Sequence, residues 1–181
     1  MSNQTEKKKP KLDSGLASKT TPYIRLLKAK EDLTQELHQI SLSAFAQQAP
    51  WQEAQLTSIL QSDHVLTLLV EEKKEVLAFM VLGLAGDQAE VYQIAVSKPH
   101  QRRGLASLLM TDGLRHLLAN GVSKLFLEVR ASNRPAQLFY KRQGFALQGY
   151  RKNYYHNPKE DALVLALNLN GKRDGNVHSC N

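Results

Sequence analysis

Cysteine is almost missing from this chain of 181 residues, since the one cysteine, Cys180, stands next to the last residue. A lone cysteine cannot form a disulfide within the chain, so we expect a reducing, cytoplasmic setting. No apolar run approaches the roughly 20 residues that a membrane-spanning helix needs. The lysine-rich start of the chain is not followed by an apolar segment, which argues against a secretory signal.

Metal-binding patterns are also missing. The six histidines have no metal-ligand spacing and the chain has no cluster of cysteine and histidine, so we expect no metal. A hydrophobic fraction of 42% and a charged fraction of 23% are typical of a globular domain. The length is sufficient for one domain with a complete core.

The net charge of +7 is spread unevenly along the chain. Residues 31–90 contain ten acidic residues and only two basic ones, Lys73 and Lys74, whereas residues 98–152 contain eleven basic residues and two acidic ones. The basic segment suits a phosphorylated cofactor, and the acidic segment suits a cationic amine or a basic protein terminus. Two solvated faces of opposite charge would give the same pattern.

Three parts follow one another along the chain. Residues 1–22 are predicted to be a disordered basic arm, and residues 171–181 a flexible tail. Between them, residues 23–170 alternate in the order β-α-α-β-β-β-α-β-α-β-β, which indicates a mixed α/β (α+β) domain with helices packed on a central sheet. The predicted strands are 23–27, 64–71, 75–84, 90–96, 124–130, 145–150 and 162–169; the predicted helices are 31–45, 51–60, 103–119 and a short one between Asn133 and Gly144.

A basic loop containing a glycine joins the strand that ends at Val96 to the next helix. The loop and the first helical turn offer unpaired backbone N–H groups and the positive end of the helix dipole, and two arginines add full charges. Such a junction can bind a diphosphate, although it can also be an ordinary connection. The predicted phosphate site comprises Gln101, Arg102, Arg103, Gly104, Leu105, Ala106 and Ser107.

The loop pattern Gln-x-x-Gly-x-Ala resembles the coenzyme A pyrophosphate loop of the GNAT family of N-acetyltransferases. Residues 127–145, which include Leu-Glu-Val-Arg-Ala-Ser-Asn and a later Gly-Phe, are similar to the bacterial RimI group within that family, the N-terminal alanine acetyltransferases of ribosomal proteins. The resemblance covers about residues 23–169. It implies a mostly antiparallel sheet that splays at the cofactor strand, with helices on both faces, and acetyl-CoA as the co-substrate.

The resemblance also implies roles for single residues. Ile94, Ala95 and Val96 would offer backbone groups to the pantetheine arm of acetyl-CoA, and the Val96 N–H would polarise the thioester oxygen. Asn133 would hydrogen-bond the amide groups of the same arm. The acceptor implied is the N-terminal amine of a protein, the N-terminal alanine of a small-subunit ribosomal protein in particular.

Two residues are candidates for proton transfer. Glu128, near the end of a strand in a region crowded with cations, would act as the base, although it could instead be an ion-pair partner of Arg130 or Arg134. Tyr140 would act as the acid, because a phenol with a pKa of about 10 stays protonated until the thiolate leaves. An aromatic residue on a short helix is also a core candidate, but the neighbouring Phe139 could fill the core and leave Tyr140 on the other face.

Trp51, Tyr154 and Tyr155 are predicted either to pack in the core or to wall a slot for the acceptor peptide. The chain departs from the family pattern at Ala106, at Gln93 and over residues 156–159. The acceptor could therefore also be a small amine or a lysine side chain. A third possibility is a ribosome- or nucleic-acid-binding module without catalysis, in which the basic arm would contact phosphates.

Overall fold

Seven strands and four α-helices make up the part of the chain that the computed structural model describes, which is residues 21–28, 31–45 and 51–170. The predicted tail and all of the predicted arm except Thr21 and Pro22 lie outside these ranges. The helices are α1 (Thr34–Phe45), α2 (Glu53–Leu60), α3 (Leu105–Ala119) and α4 (Arg134–Arg142). The strands are β1 (Tyr23–Leu26), β2 (Val65–Glu72), β3 (Glu75–Ala85), β4 (Gln88–Val96), β5 (Lys124–Arg130), β6 (Ala146–His156) and β7 (Lys159–Asn168).

The order of elements confirms the predicted order, and the main differences lie at element ends. Helix α1 begins three residues later than predicted, since the Asp32 carboxylate accepts a hydrogen bond from the Thr34 N–H and residue 31 pairs with β1. Strand β6 continues to His156 rather than ending at Tyr150, because it forms a long hairpin with β7. The two candidate tyrosines, Tyr154 and Tyr155, therefore lie within a strand.

The sheet has the strand order β1-β2-β3-β4-β5-β7-β6, and only the central pair, β4 and β5, is parallel among the pairings of the described residues. Helices cover both faces, as predicted. Helices α3 and α4 pack on one face around Leu109 and Tyr140, and α1 and α2 pack on the other around Leu37 and Leu56. Strand β3 lies between both layers, and its residues 77–82 are almost fully buried, which fits its unbroken apolar sequence.

Gly113 allows α3 to approach the sheet closely. A methyl group at this position would meet the end of the Met80 side chain on β3 at 2.2 Å. The close packing fixes the beginning of α3, and with it the basic loop, relative to the end of β4.

The edge strand β1 is joined to β2 by a cluster of charged groups. Glu71, which is buried, accepts hydrogen bonds from Tyr23 Oη at 2.6 Å and from Arg25 Nε at 2.8 Å. The Arg25 guanidinium also binds both oxygens of Glu31, at 2.7 and 2.6 Å. The hydrogen bond from Arg25 holds the pKa of each carboxyl group, Glu71 and Glu31, below its ordinary value.

We expect Glu71→Gln to lower the free energy of unfolding by about 1–3 kcal/mol at neutral pH, since it removes a buried charge-assisted hydrogen bond. A lowered pKa means that the stabilisation is present above the ordinary carboxyl pKa and is lost as the pH falls through the value in the folded protein. The difference between variant and wild type should therefore shrink below about pH 4. Urea denaturation at several pH values measures it, and the exposed Glu75→Gln is the control. A difference that stays constant down to pH 3 would contradict this account of Glu71.

Candidate active site

Strands β4 and β5 separate half-way along their length. They pair only from Gln88 with Lys124 to Val91 with Leu127, yet β4 continues to Val96 and β5 continues to Arg130. The predicted splay of the sheet at the cofactor strand is therefore observed. The gap leaves backbone groups of β4 without a neighbouring strand, which is where an extended polar ligand can bind.

The Val96 N–H points into this gap. The next residue, Ser97, donates its N–H to the Leu77 carbonyl at 2.9 Å, on the β3 side of the strand. Successive N–H groups along a strand point to opposite edges, so the Val96 N–H faces the edge from which β5 has departed. It lies on the correct side of β4 for the oxygen-polarising role expected from the sequence.

The basic loop presents a row of backbone donors. Within the described ranges, none of the backbone N–H groups from Arg102 to Ser107 donates a hydrogen bond to another residue. Arg102 has a φ of 65° and Gly104 a φ of 80°, and Gly104 is the residue that precedes the first turn of α3. Unpaired donors at a helix start, with two arginines beside them, form a site that fits a diphosphate.

Two side chains fix the shape of the loop. Gln101 Nε2 donates to the Val96 carbonyl at 3.2 Å and so ties the loop to the end of β4. Arg103 Nη2 donates to both carboxylate oxygens of Glu72, at 3.0 and 3.2 Å, which ties the loop to the turn between β2 and β3. Among the arginines of the loop, Arg102 is thus the one that makes no ion pair with another described residue.

A pocket of about 290 Å³ opens on the sheet face opposite α3, beside the point where β4 and β5 separate. A bulge in β4 helps to form it, because Val81 pairs with Gln93 and Leu82 with Val91, so Tyr92 is the extra residue. Four of the residues that line the pocket carry ionisable side chains: Glu90, Tyr92, Glu128 and Arg151.

Trp51 contacts Tyr92, one of the residues that line the pocket. Its ring lies 6.3 Å from that of Tyr92, in an edge-to-face arrangement. Tyr154 lies next to another lining residue, Glu128, whose interaction with the phenol hydroxyl raises the pKa of Tyr154 to about 12. The Arg151 guanidinium lies 5.5 Å from the centre of the Tyr154 ring. Trp51 and Tyr154 thus each contact a residue that lines the pocket, Tyr92 and Glu128 respectively.

Glu128 has an ion-pair partner that sequence reasoning missed. Its Oε1 lies 2.8 Å from Arg151 Nε on β6, and its side chain is 13% exposed. The expected alternative partners were Arg130 and Arg134, but Arg130 binds Glu160 instead, with Nη1 3.2 Å from Oε2. The alternative named the wrong partners. Side chains two residues apart on a strand share a face without touching, and the ion pair of Glu128 depends on the neighbouring hairpin.

Glu90 is a second carboxyl group in the pocket, and the sequence analysis assigned it no role. Burial, followed by the nearby charge of Glu128, raises the pKa of Glu90 above its ordinary value. Its position on β4, six residues before Val96, gives no local signal of a partner on β5. Glu90 and Glu128 thus give the pocket two carboxyl groups against the one guanidinium of Arg151.

Tyr140 is a core residue, which corrects one expectation. It is 7% exposed and contacts Phe139 and Phe145 in edge-to-face geometry, at 5.2 and 5.6 Å between ring centres. Phe139 is only partly buried, so it does not replace Tyr140 in the core. Burial raises the pKa of the Tyr140 phenol, with a smaller contribution from Tyr155, and keeps it protonated. A proton donor needs that property, and the burial and the predicted role are compatible.

Asn133 and Tyr155 have structural contacts of their own. Asn133 Oδ1 accepts from the Ala136 N–H at 3.1 Å and caps α4, which confirms its predicted place before that helix. The Tyr155 ring lies 4.1 Å below the Arg130 guanidinium. The Tyr155 ring also packs edge-to-face against that of Tyr154, with 5.1 Å between the ring centres.

Gly83 leaves room for Tyr92, and its replacement tests the pocket. An alanine methyl group there would lie 2.2 Å from the Tyr92 ring, so the ring must move. We expect Gly83→Ala to raise the KM for the acceptor at least fivefold while the affinity for acetyl-CoA stays within twofold of wild type. Gly149→Ala, where the added methyl group has open space, is the control. An unchanged acceptor KM would show that Tyr92 does not border the acceptor site.

A parallel strand pair that separates beside an anion-binding helix start is the arrangement that the resemblance to coenzyme A-dependent acyltransferases implies. The profile of the Acetyltransferase (GNAT) family matches residues 32–145. The match spans more than half of the chain, so the chain belongs to the GNAT family and is an N-acetyltransferase. Enzymes of this family take their acetyl group from acetyl-CoA.

Individual relatives agree with this assignment. The ribosomal protein bS18-alanine N-acetyltransferase of Haemophilus ducreyi is 37% identical over 123 residues, 66% of this chain and 84% of that protein. The enzyme of the same name from Escherichia coli K12 is 35% identical over 120 residues, 65% of this chain and 80% of that protein.

Solved structures share the fold. The crystal structure of the ribosomal-protein-S18-alanine N-acetyltransferase from Escherichia coli has a TM-score of 0.75 and 31% identity, covering 82% of this chain and 94% of that one. A GNAT acetyltransferase from Elizabethkingia anophelis with acetyl-CoA bound has a TM-score of 0.67 at 19% identity, covering 81% and 97%.

The described residues lack two further features. No helix in ranges 21–28, 31–45 and 51–170 is long and apolar enough to cross a membrane. Over the same ranges no group of three or more histidine, cysteine, aspartate or glutamate side chains is arranged to hold a metal ion.

Proposed function

We propose that the chain transfers an acetyl group from acetyl-CoA to the N-terminal α-amine of a protein, and that the N-terminal alanine of ribosomal protein bS18 is the physiological target. The observation that carries the proposal is the pocket beside the gap between β4 and β5, where Glu128 neighbours Tyr154 and Tyr92 contacts Trp51. The named relatives, which are alanine N-acetyltransferases of bS18, support the choice of target.

The donor side of the site consists of backbone groups. The free N–H groups of Arg102 to Ser107 and the cation of Arg102 fit the pyrophosphate of coenzyme A. The exposed edge of Ile94–Val96 fits the extended amide arm, and the Asn133 amide would add a side-chain contact. When bound, acetyl-CoA supplies the acetyl group as a thioester and departs as a thiol. The Val96 N–H is the donor oriented toward the gap for the thioester oxygen.

The acceptor side of the site is the pocket that contains Glu90 and Glu128. An α-amine arrives mostly as an ammonium ion, because its pKa is roughly 7.7–8.0. Glu90 and Glu128 attract that charge, and Trp51, which contacts Tyr92, and Tyr154, which neighbours Glu128, would flank the entering chain end. A lysine side chain would need to bring its backbone past the same two aromatic residues. It also holds its proton about two to three pH units more tightly than an α-amine does.

Glu128 is the proposed base and Tyr140 the proposed acid. Glu128 takes a proton from the ammonium group, directly or through a water, so that the nitrogen lone pair becomes available. Tyr140 donates its phenolic proton to the departing sulfur, and the pKa of this phenol, raised by burial, keeps the proton in place until then.

The sequence left two alternatives to this function. A binding module without catalysis is set aside, because the chain belongs to a family of N-acetyltransferases. A different acceptor, either a small amine or a lysine, keeps the same donor site. Coenzyme A release measured against three acceptors tests the choice: a peptide with the bS18 N-terminus, the same peptide with a blocked N-terminus, and a small diamine. We expect release with the first alone. Equal release with the blocked peptide or the diamine would contradict the proposal.

A further inference from the structure

The turn between β2 and β3 carries two lysines in an acidic stretch of chain. Lys73 and Lys74 are the two basic residues among residues 31–90, which contain ten acidic ones. Both side chains are exposed, and neither forms an ion pair with a described residue. The mechanism proposed above makes no use of them.

Both lysines occupy strained backbone positions. Lys73 has a φ of 53° and Lys74 a φ of 68°. Glu72 pairs with Glu75, so these two lysines form a two-residue hairpin turn with positive φ at both positions. Asn-Gly satisfies such a turn with little strain, whereas the Cβ of lysine approaches the following carbonyl oxygen. Strain of this kind is typical of functional sites and directs attention to the charges that the turn carries.

The fold places this turn beside the phosphate loop. Arg103 Nη2 is bonded to both oxygens of Glu72, the residue just before Lys73. The same ion pair neutralises the carboxylate next to Lys73 in the chain. Glu75, at the far end of the turn, is the other acidic residue next to the lysines and is exposed.

We infer that Lys73 and Lys74 bind the 3′-phosphate of coenzyme A. The inference rests on the proposed position of the pyrophosphate at the loop. Coenzyme A carries a third phosphate, a monoester on its ribose, and the backbone donors of the loop are occupied by the other two. A phosphate monoester has a charge between −1.5 and −2 at neutral pH. Lysine, a compact charge on a flexible stem, suits such a group at the edge of a site.

The test replaces the turn with Asn-Gly, in a Lys73→Asn, Lys74→Gly variant. Calorimetry at fixed salt measures the dissociation constants of coenzyme A and 3′-dephospho-coenzyme A for variant and wild type. We expect the variant to bind coenzyme A about three- to tenfold more weakly and 3′-dephospho-coenzyme A as wild type does, in keeping with two exposed charge contacts. The melting temperature without ligand should rise, since the strain is relieved.

A Lys141→Gln, Arg142→Gln variant removes the same amount of charge from the end of α4 and should leave both dissociation constants unchanged. If the turn variant binds both ligands as wild type does, or weakens both equally, the inference is wrong. Wild-type protein that binds coenzyme A no better than its dephospho form would also overturn it, while leaving the donor site intact. Wild-type protein that binds neither ligand would overturn the donor site as well.

Discussion

Replacing Glu128 with glutamine is expected to reduce turnover on an N-terminal peptide about 100- to 1000-fold at pH 7, which is within the usual range for loss of a general base. The affinity for acetyl-CoA should stay nearly unchanged, because the carboxylate faces the acceptor pocket. The loss should shrink as the pH rises past roughly 8, where the peptide amine loses its proton without assistance. Initial rates of coenzyme A release between pH 6.5 and 9.5 measure this.

Glu90→Gln is the matched control, because it removes the same charge from the same pocket. Glu90 attracts the ammonium group in this account and accepts no proton, so its replacement should raise the acceptor KM more than it lowers turnover. A larger loss of turnover for Glu90→Gln than for Glu128→Gln would assign the base to the wrong carboxylate.

Tyr140→Phe offers a second contrast with Glu128→Gln. It should also lower turnover, but with little recovery at high pH, because the missing proton is needed by the sulfur and not by the amine. Its stability should stay close to that of wild type, since the aromatic contacts with Phe139 and Phe145 remain. The same pH series of rates, with a melting curve, separates the two variants.

Replacing Gly104 with glutamate is expected to abolish measurable acetyl-CoA binding. The position has a φ of 80° and open space around the missing side chain, so the carboxylate would extend over the donors of the loop. The carboxylate would repel the pyrophosphate and would accept hydrogen bonds from the loop N–H groups in its place. Calorimetric titration with acetyl-CoA is the measurement.

Gly121→Glu is the control for this variant. Gly121 lies at the other end of α3, has a φ of 76°, and also has open space in place of a side chain. Both substitutions impose a similar backbone strain, but only the one at Gly104 places charge at the loop. Gly121→Glu should bind acetyl-CoA as wild type does. Normal binding by Gly104→Glu would mean that the pyrophosphate lies elsewhere.

The fold was predictable because its signals are local. The apolar run of β3, the capping Asn133 and the loop glycine each act within a few residues, and the order of elements follows from them. The long β6–β7 hairpin was underestimated, since β6 is polar and largely exposed and has no apolar alternation to mark it.

The pocket was only partly predictable, because it depends on contacts between distant strands. Glu128 was identified through its motif. Its pairing with Arg151 could not be predicted, because it depends on where β6 lies in the sheet, with β7 between it and β5. Glu90 and Tyr92 reach the pocket because of a bulge in β4, and no residue type in the sequence marks that bulge. The burial of Tyr140 depends on Phe145 folding back over α4, which periodicity within a nine-residue helix cannot reveal.

The central claim is that the acceptor is a protein N-terminus. Fragment-ion mass spectrometry of an acetylated peptide that begins Ala-Arg and contains one internal lysine tests it most directly. The account predicts an acetyl group on the α-amine and none on the lysine at early times, and no product with Glu128→Gln over the same period. Acetylation mainly on the lysine side chain would contradict the account and assign the pocket to a different amine.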